Sequence, residues 1–244
     1  MRWGSHRPTV AAFVLGRARM AQLVDIFLQP SKVFAEQRER PTFLVPFLVF
    51  ATLTIAFTLA YFFRVDPSWY GDHMFDASRG AMTAKDMARA KSMMPSTHTM
   101  GVLGAVGGIV TVALMFAIFG LYYWLASKIT GRSLTYKHGL GLTAWSSMPA
   151  VLGSIVALVG ALTMAPQTGL ESLMLTHVDP LLISIPSGQP GHRLAQTADL
   201  LQIWTTFLTA LGWRVLTRAS WMQSAVIALI PLVVVYGIVA VLPG

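Results

Sequence analysis

The sequence contains no cysteine and few charged residues. With no cysteine among its 244 residues, the chain cannot use disulfides, thiolate catalysis, cysteine-ligated zinc or palmitoylation. Only 11% of the residues are charged, compared with about 25% in an ordinary soluble domain, whereas 55% are hydrophobic. These proportions exclude a water-soluble core, so the protein is predicted to lie in a membrane.

Familiar catalytic and nucleic-acid-binding motifs are also missing. The chain has no HExxH, GxSxG or P-loop sequence, and its acids and histidines are dispersed among loops. Its net charge is +8, but the basic residues stand at the ends of apolar runs and form no long cluster. We therefore expect anionic lipid as the counter-charge, with no enzyme activity, no catalytic, cofactor or metal site, and no nucleic-acid partner.

Five apolar runs are each long enough to cross about 30 Å of hydrocarbon as a helix. The expected spans are Phe43–Phe63, Val102–Ala126, Leu140–Ala165, Leu200–Leu216 and Trp221–Leu242. The predicted fold class is an all-α membrane protein with five transmembrane helices, preceded by a short amphipathic interfacial helical elbow. The predicted organisation is a flexible N-terminus (1–19), amphipathic interfacial helices (20–41) and a five-helix transmembrane domain (42–244).

The elbow is predicted from helical periodicity. Its apolar residues recur at intervals of three and four, at Met20, Leu23, Val24, Phe27 and Leu28. Pro30 suits the first turn of a second short helix, which ends before Pro41. The elbow either lies on lipid headgroups or caps the bundle, and the sequence favours neither.

The polar segment between the first two spans is rich in methionine. It contains a predicted helix from Thr83 to Met94, with Thr83 as its N-cap. Thioethers and the imidazoles of His73 and His98 could bind Cu(I). The methionine spacing is irregular, however, so packing on lipid or on neighbouring helices is the preferred interpretation. The methionines concerned are Met74, Met82, Met87, Met93, Met94 and Met100.

Small residues and one proline should shape the bundle. Gly104 and Gly108 form a GxxxG pair in the second span, and Gly153 is a small residue in the third, so all three are expected to pack against helices. Pro149 removes a backbone hydrogen bond and is expected to kink the third span close to Trp145. Such a kink either marks a pathway or only shapes the packing.

The fourth span is unusually polar and is expected to lie inside the bundle. Gln202 and three threonines interrupt its apolar residues, and Asp199 precedes it as either an N-cap or an ion-binding group. Arg214 and Arg218, at the turn into the last span, should set topology and contact lipid phosphate. The candidate functional or packing residues are Asp199, Gln202, Trp204, Trp145, Pro149, Arg214 and Arg218.

The distribution of basic residues predicts the orientation. With the N-terminus in the cytoplasm and five spans, twelve of the eighteen lysines and arginines fall in cytoplasmic segments and six fall outside. Most acidic residues fall outside. The positive-inside rule therefore predicts a cytoplasmic N-terminus and an external C-terminus.

Three stretches resemble the Yip1 family of five-span membrane proteins in its bacterial form. They are LVDIFLQPSKVF at Leu23–Phe34, WSSMP at Trp145–Pro149, and the fourth-span set Asp199, Leu200, Ile203, Trp204 and Gly212. The resemblance implies five spans and a bacterial inner (plasma) membrane. Eukaryotic members of the family associate with prenylated Rab GTPases and with one another, but their DLYGP motif is absent here, so Rab-type binding is not expected.

Two functions remain open at this stage. The first is a non-enzymatic membrane organiser or scaffold that associates with lipids, with itself as a homo-oligomer, or with other membrane proteins. It is suggested by the glycine-lined helices and the elbow. The alternative is a small transporter or channel with a polar path along the fourth span.

Overall fold

A computed structural model describes residues 20–76, 82–185, 189 and 191–241, and over these residues the chain is helical and forms no β-strand. The prediction of an all-α membrane protein is confirmed. The predicted flexible N-terminus (1–19) lies outside the described residues.

The helices follow one another with short connections. The elbow consists of α1 (20–28) and α2 (Pro30–Glu39). The central helices are α3 (Leu44–Phe62), α4 (Pro67–Asp76), α5 (Ala84–Ser92), α6 (Thr97–Ile129), α7 (Tyr136–Ser146) and α8 (Pro149–Thr163). The last part contains a 3₁₀ turn (Leu170–Leu173), α9 (Val178–Leu181), α10 (His192–Thr197), α11 (Leu201–Thr217) and α12 (Trp221–Val241).

Three of these helices, α3, α6 and α12, are long and apolar enough to cross a membrane. The pair α7 and α8 adds a fourth candidate if it forms one broken span, because the two helices are bent by 48° at a short break. Helix α11, with 17 residues and several polar side chains, is not among the candidates. The count of five spans and the orientation of the termini therefore stay predictions.

The bent pair runs beside α3 along its whole length. A Cβ on Gly141 of α7 would lie 3.2 Å from the carbonyl oxygen of Thr42, just ahead of α3. At the opposite end of α3, Tyr61 belongs to the same apolar cluster as Ala161 of α8. The bend falls at Pro149, which is buried and begins α8. The bend of the pair thus lies at the proline that was expected to kink the third span.

The glycines in the spans allow close helix packing within the chain. A Cβ on Gly104 would lie 3.0 Å from Cγ2 of Thr58 in α3, and a Cβ on Gly108 would lie 2.5 Å from Cγ2 of Thr54. A Cβ on Gly153 of α8 would lie 2.9 Å from the hydroxyl of Thr176. The GxxxG pair is therefore occupied by α3 of the same molecule.

The elbow caps the bundle through α2. Ile26, Val33 and Phe34 are fully buried in the main apolar core, together with residues of α7 and α11. Gln37 is also buried, and its side chain exchanges two hydrogen bonds with Thr42, of 2.9 and 2.7 Å. On α1 an apolar stripe stays exposed, at Met20, Val24 and Leu28. The elbow is thus part of the core, and one face of α1 remains available to lipid.

The methionine-rich segment forms α4 and α5. The hydroxyl of Thr83 accepts a hydrogen bond from the backbone N–H of Asp86 (3.2 Å), so α5 begins at the expected cap. The imidazole of His73 stacks on Trp69 and lies 2.9 Å from a carboxylate oxygen of Glu171. Among the residues that the structure describes, no group of three or more histidines and carboxylates could hold a metal ion.

Candidate functional site: a polar cleft beside helix α11

The polar residues of α11 lie on one face of the helix. Gln202, Thr205, Thr206 and Thr209 recur at intervals of three and four residues and point into the bundle. The opposite face is apolar and open to the surroundings, with Ile203 74% exposed. Because one face must contact lipid and the other must not, this amphipathic pattern fixes the rotation of α11.

The facing wall comes from the end of α7, next to the break. Thr143, Ser146 and Ser147 are also spaced by three and four residues, and they line the same cavity as the α11 threonines. Helix α6 contributes Tyr123, and α12 contributes Tyr236. We call this space, of about 210 Å³, the hydroxyl cleft.

Most hydroxyls in the hydroxyl cleft donate to the backbone carbonyl four residues earlier. The bonds run from Thr143 to Gly139 (3.0 Å), Ser146 to Leu142 (2.6 Å), Ser147 to Thr143 (2.8 Å), Thr206 to Gln202 (2.7 Å) and Thr209 to Thr205 (2.8 Å). A hydroxyl has one O–H donor and two acceptor lone pairs. These five side chains have therefore used their donors and retain acceptor capacity.

Thr205 is the exception on this face. Its hydroxyl oxygen is buried and has no hydrogen-bond partner within the described part of the chain. Leaving such a group unpaired costs about 1–3 kcal/mol. The side-chain amide of neighbouring Gln202 donates to the Thr206 hydroxyl over 3.4 Å. A water or ligand that bonded to Thr205 would recover part of that cost.

The cleft ends blindly inside the bundle. Tyr123 lines it and also belongs to the main apolar core, with its ring centroid 6.4 Å from that of Trp213. Leu208, Trp145 and Trp213 are fully buried in that core. At the opposite end Thr197 and Tyr236 line the cleft. The apolar core around Trp213 therefore closes this end of the hydroxyl cleft.

Asp199 lies outside this cleft. Its carboxylate accepts a hydrogen bond from the backbone N–H of Leu201 (2.9 Å), the first residue of α11. It lines a second cavity, of about 210 Å³, together with His177 and Ser154. Asp199 and Gln202 were grouped in the sequence as one polar path, but the structure places them in different cavities.

The two predicted tryptophans have packing contacts. Trp145 is fully buried, and its indole N–H donates to the carbonyl of Thr42 (2.9 Å). The ring of Trp204 meets Phe27 of α1 edge-on, at 5.4 Å between centroids. Neither side chain lines the hydroxyl cleft.

The two predicted arginines lie at the turn between α11 and α12. The guanidinium of Arg214 lies 4.8 Å from the ring centroid of Trp221, so it joins the end of α11 to the start of α12. Arg218 is exposed and ends α11 in the left-handed conformation, with φ of 56°. Of the seven candidate residues, the structure brings only Gln202 into the hydroxyl cleft.

The sequence carries a signal for three further lining residues. Thr143, Ser146 and Ser147 form a polar stripe in an otherwise apolar span, as do the threonines of α11. Two such stripes in one membrane protein must each be shielded from lipid, and facing each other achieves this. Tyr123 and Tyr236 carried no such signal.

Comparisons with known proteins give the family. A model of the Yip1 domain matches residues 24–242. The chain is 28% identical over 216 residues to the Membrane protein YknW of Bacillus subtilis (strain 168), and the match covers 84% of each chain. No solved structure matches the chain. A domain match that begins in the elbow and ends at the last helix includes nearly every described element, and on that basis the chain belongs to the Yip1-domain family of membrane proteins.

Proposed function

We propose that this Yip1-domain protein is a small transporter that binds a hydrophilic solute in the hydroxyl cleft. The observation that carries the proposal is the convergence of six hydroxyls and one amide, from α7 and α11, on one cavity within an apolar bundle. Polar groups at membrane depth are costly and are commonly functional. The proposal thus takes up the polar path expected along the fourth span.

The walls of the cleft contain one broken helix pair and one continuous helix with an internal proline, which supports this choice. The break between α7 and α8 directly follows Ser146, and α12 carries Pro231 at the cleft. Pro231 cannot bond to the carbonyl of Ile227, and the hydroxyl of Tyr122 donates to that carbonyl instead (2.8 Å). Transporters often place their binding sites at broken helices near the middle of the membrane.

The blind end of the cleft favours a carrier over a channel. The aromatic core around Trp213 fills the space beyond Tyr123 and Thr209. A solute could therefore pass only if the walls rearranged. The break at Pro149 and the proline at position 231 are the points at which we expect such bending.

The test is solute uptake into liposomes that contain the purified protein. The probes are glycerol, urea, guanidinium and nitrate. At least one should enter faster than into protein-free liposomes, and the variant Thr206→Val with Thr209→Val should slow that entry. The matched control is Thr111→Val, because Thr111 is exposed on α6 and makes the same bond to a carbonyl four residues earlier (2.9 Å). Entry of no probe above the protein-free rate would refute transport of these solutes.

A membrane organiser is the second candidate, and the exposed apolar surface of α12 favours it. This helix packs chiefly on α11 and exposes a long apolar surface, with Val233 67% and Val241 81% exposed. Self-association would use this surface, because Gly104 and Gly108 are occupied by α3.

The absence of native cysteine allows a direct test of the organiser. A single Val233→Cys substitution should give a disulfide-linked dimer in membranes, whereas Leu103→Cys on exposed α6 should not. Equal cross-linking of the two variants would indicate random collision and would count against an α12 interface.

A further inference from the structure

The hydroxyl cleft has no fixed charge. None of the residues that line it in the described part of the chain is an Asp, Glu, Lys, Arg or His. The carboxylate nearest in sequence, Asp199, lines the other cavity and accepts a hydrogen bond from the N-terminus of α11. The preference of the cleft among ligands must therefore come from the direction of its hydrogen bonds.

That direction is strongly asymmetric. Five hydroxyls donate to carbonyls of their own helices, and the hydroxyl of Tyr236 donates to the carbonyl of Thr197 (3.4 Å). Their donors are thereby used, while each oxygen keeps lone pairs. Against these acceptors stand few donors, chiefly the hydroxyls of Thr205 and Tyr123 and the amide of Gln202. The cleft thus presents mainly acceptors.

A surface of neutral oxygen acceptors is suited to a hydrogen-bond-donor cation. Rings of uncharged oxygens can replace the hydration shell of a cation without supplying a formal negative charge. The cleft also has aromatic rings in its walls, including Phe119, Tyr123 and Tyr236. The face of an aromatic ring attracts cations. An anion would meet lone pairs and ring faces, and both would repel it.

We propose that the hydroxyl cleft selects solutes bearing an ammonium or guanidinium group and rejects anions. This inference rests on the proposed function, since it names the class of solute that the transporter would take. Lone pairs of the threonine and serine oxygens receive the N–H donors of the cation. Thr205, whose buried hydroxyl has no partner within the described residues, can turn its oxygen toward the same group.

Three planar probes of similar size separate the alternatives. Guanidinium carries only donors and a positive charge, urea carries donors and an acceptor, and nitrate carries only acceptors and a negative charge. Uptake is measured into liposomes holding the full chain, with the membrane potential clamped at zero by potassium and valinomycin. The protein-dependent uptake rates should decrease in the order guanidinium, urea, nitrate. If the cleft binds guanidinium about tenfold more tightly than nitrate, guanidinium should enter roughly tenfold faster.

Variants at two positions in the hydroxyl cleft sharpen the test. Gln202→Glu should raise the ratio of guanidinium to urea uptake, and Gln202→Lys should lower it and admit nitrate. Thr206→Val, which keeps the shape of the side chain but removes its oxygen, should lower guanidinium uptake more than urea uptake. This third variant keeps the test valid if a charged substitution prevents folding. Thr111→Val is again the matched control.

The two proposals fail in different ways. If neither glycerol nor any planar probe enters above the protein-free rate, the proposed transport of these solutes fails, and the inference falls with it. If probes enter but urea or nitrate equals or exceeds guanidinium, transport stands and the selection of donor cations is overturned. The expected order, together with opposite effects of Gln202→Glu and Gln202→Lys, supports both.

Discussion

The two ends of α11 differ in what surrounds them. At the C-terminal end, Gly212 and Trp213 are buried, and a Cβ on Gly212 would lie 2.5 Å from Leu142 and 2.7 Å from Phe34. At the N-terminal end, Gln202 and Thr206 face a cavity. We call these the packed end and the cleft end. The packed end holds the helices together, whereas the polar groups at the cleft end border open space.

The largest expected effect comes from removing an aromatic ring at the packed end. Phe34→Ala empties a fully buried site, and a change of this kind costs about 3–5 kcal/mol. At about 2–4 °C per kcal/mol for a chain of this size, the Tm in detergent should fall by roughly 10 °C. Phe207→Ala is the matched control on the outer face of α11, where the ring is 53% exposed, and should change the Tm little. Equal losses would contradict the comparison.

A methyl group added at a helix crossing should have the next largest effect. A Cβ on Gly139 of α7 would lie 2.2 Å from the carbonyl oxygen of Gly120 in α6, so Gly139→Ala must force two backbones apart. The expected cost is about 1–3 kcal/mol. Gly237→Ala on α12 meets no atom within 4 Å and should be neutral or slightly stabilising. Thermal unfolding of both variants in detergent measures the difference, and a stable Gly139→Ala variant would show that the crossing is looser than described.

Two glutamines test whether polar groups at the two ends have different roles. Gln37→Leu, at the packed end, should cost about 1–3 kcal/mol because it leaves the backbone N–H of Thr42 without its partner. Gln202→Leu should change stability by less than about 0.5 kcal/mol while lowering solute uptake into liposomes. Thermal unfolding and uptake are measured on both variants. If Gln202→Leu lowered the stability strongly and left uptake unchanged, Gln202 would serve packing, and the two ends of α11 would not differ in role.

The smallest effect is expected at the surface of the elbow. The ammonium of Lys32 lies 2.8 Å from a carboxylate oxygen of Asp25, which raises the pKa of Lys32 above its ordinary value through the hydrogen bond and the opposite charge. A pKa that is higher in the folded state than in the unfolded state stabilises the folded protein. This stabilisation is fully present below the unfolded-state pKa and is lost as the pH rises through the folded-state pKa. Asp25→Asn should therefore lower the Tm slightly at neutral pH, and as the pH is raised the difference should disappear above about pH 10.5. A difference that vanished near neutral pH would point to a contact other than this ion pair.

The positions of the helices were largely predictable from the sequence. Four expected spans coincide with α3, α6, α11 and α12, with boundaries that differ by five residues at most. The third expected span corresponds to the two helices α7 and α8, and the bend between them lies at Pro149, which was expected to kink it. These predictions succeed because hydrophobic runs, proline and capping residues act on the chain locally.

The cleft was much less predictable. The polar face of α11 could be recognised, but its pairing with Thr143, Ser146 and Ser147 depends on how far α7 and α11 are rotated about their axes. Asp199 precedes Gln202 by only three residues but lines a different cavity. Residues of α8 line the cavity of Asp199, whereas residues of α12 line the hydroxyl cleft that contains Gln202. The sequence was compatible with an elbow that lies on lipid headgroups or caps the bundle. The full burial of Phe34 shows that α2 packs on the bundle.

The sequence by itself determined that this protein lies in a membrane and where its main helices begin and end. Residues 44–62 or 221–241 cannot satisfy their backbone groups in hydrocarbon except as helices, whatever their neighbours are. Only the tertiary structure decided that hydroxyls from α7 and α11 would meet tyrosines from α6 and α12 around one cavity. Contacts between helices far apart in the chain depend on shape and rotation, and local periodicity does not specify either.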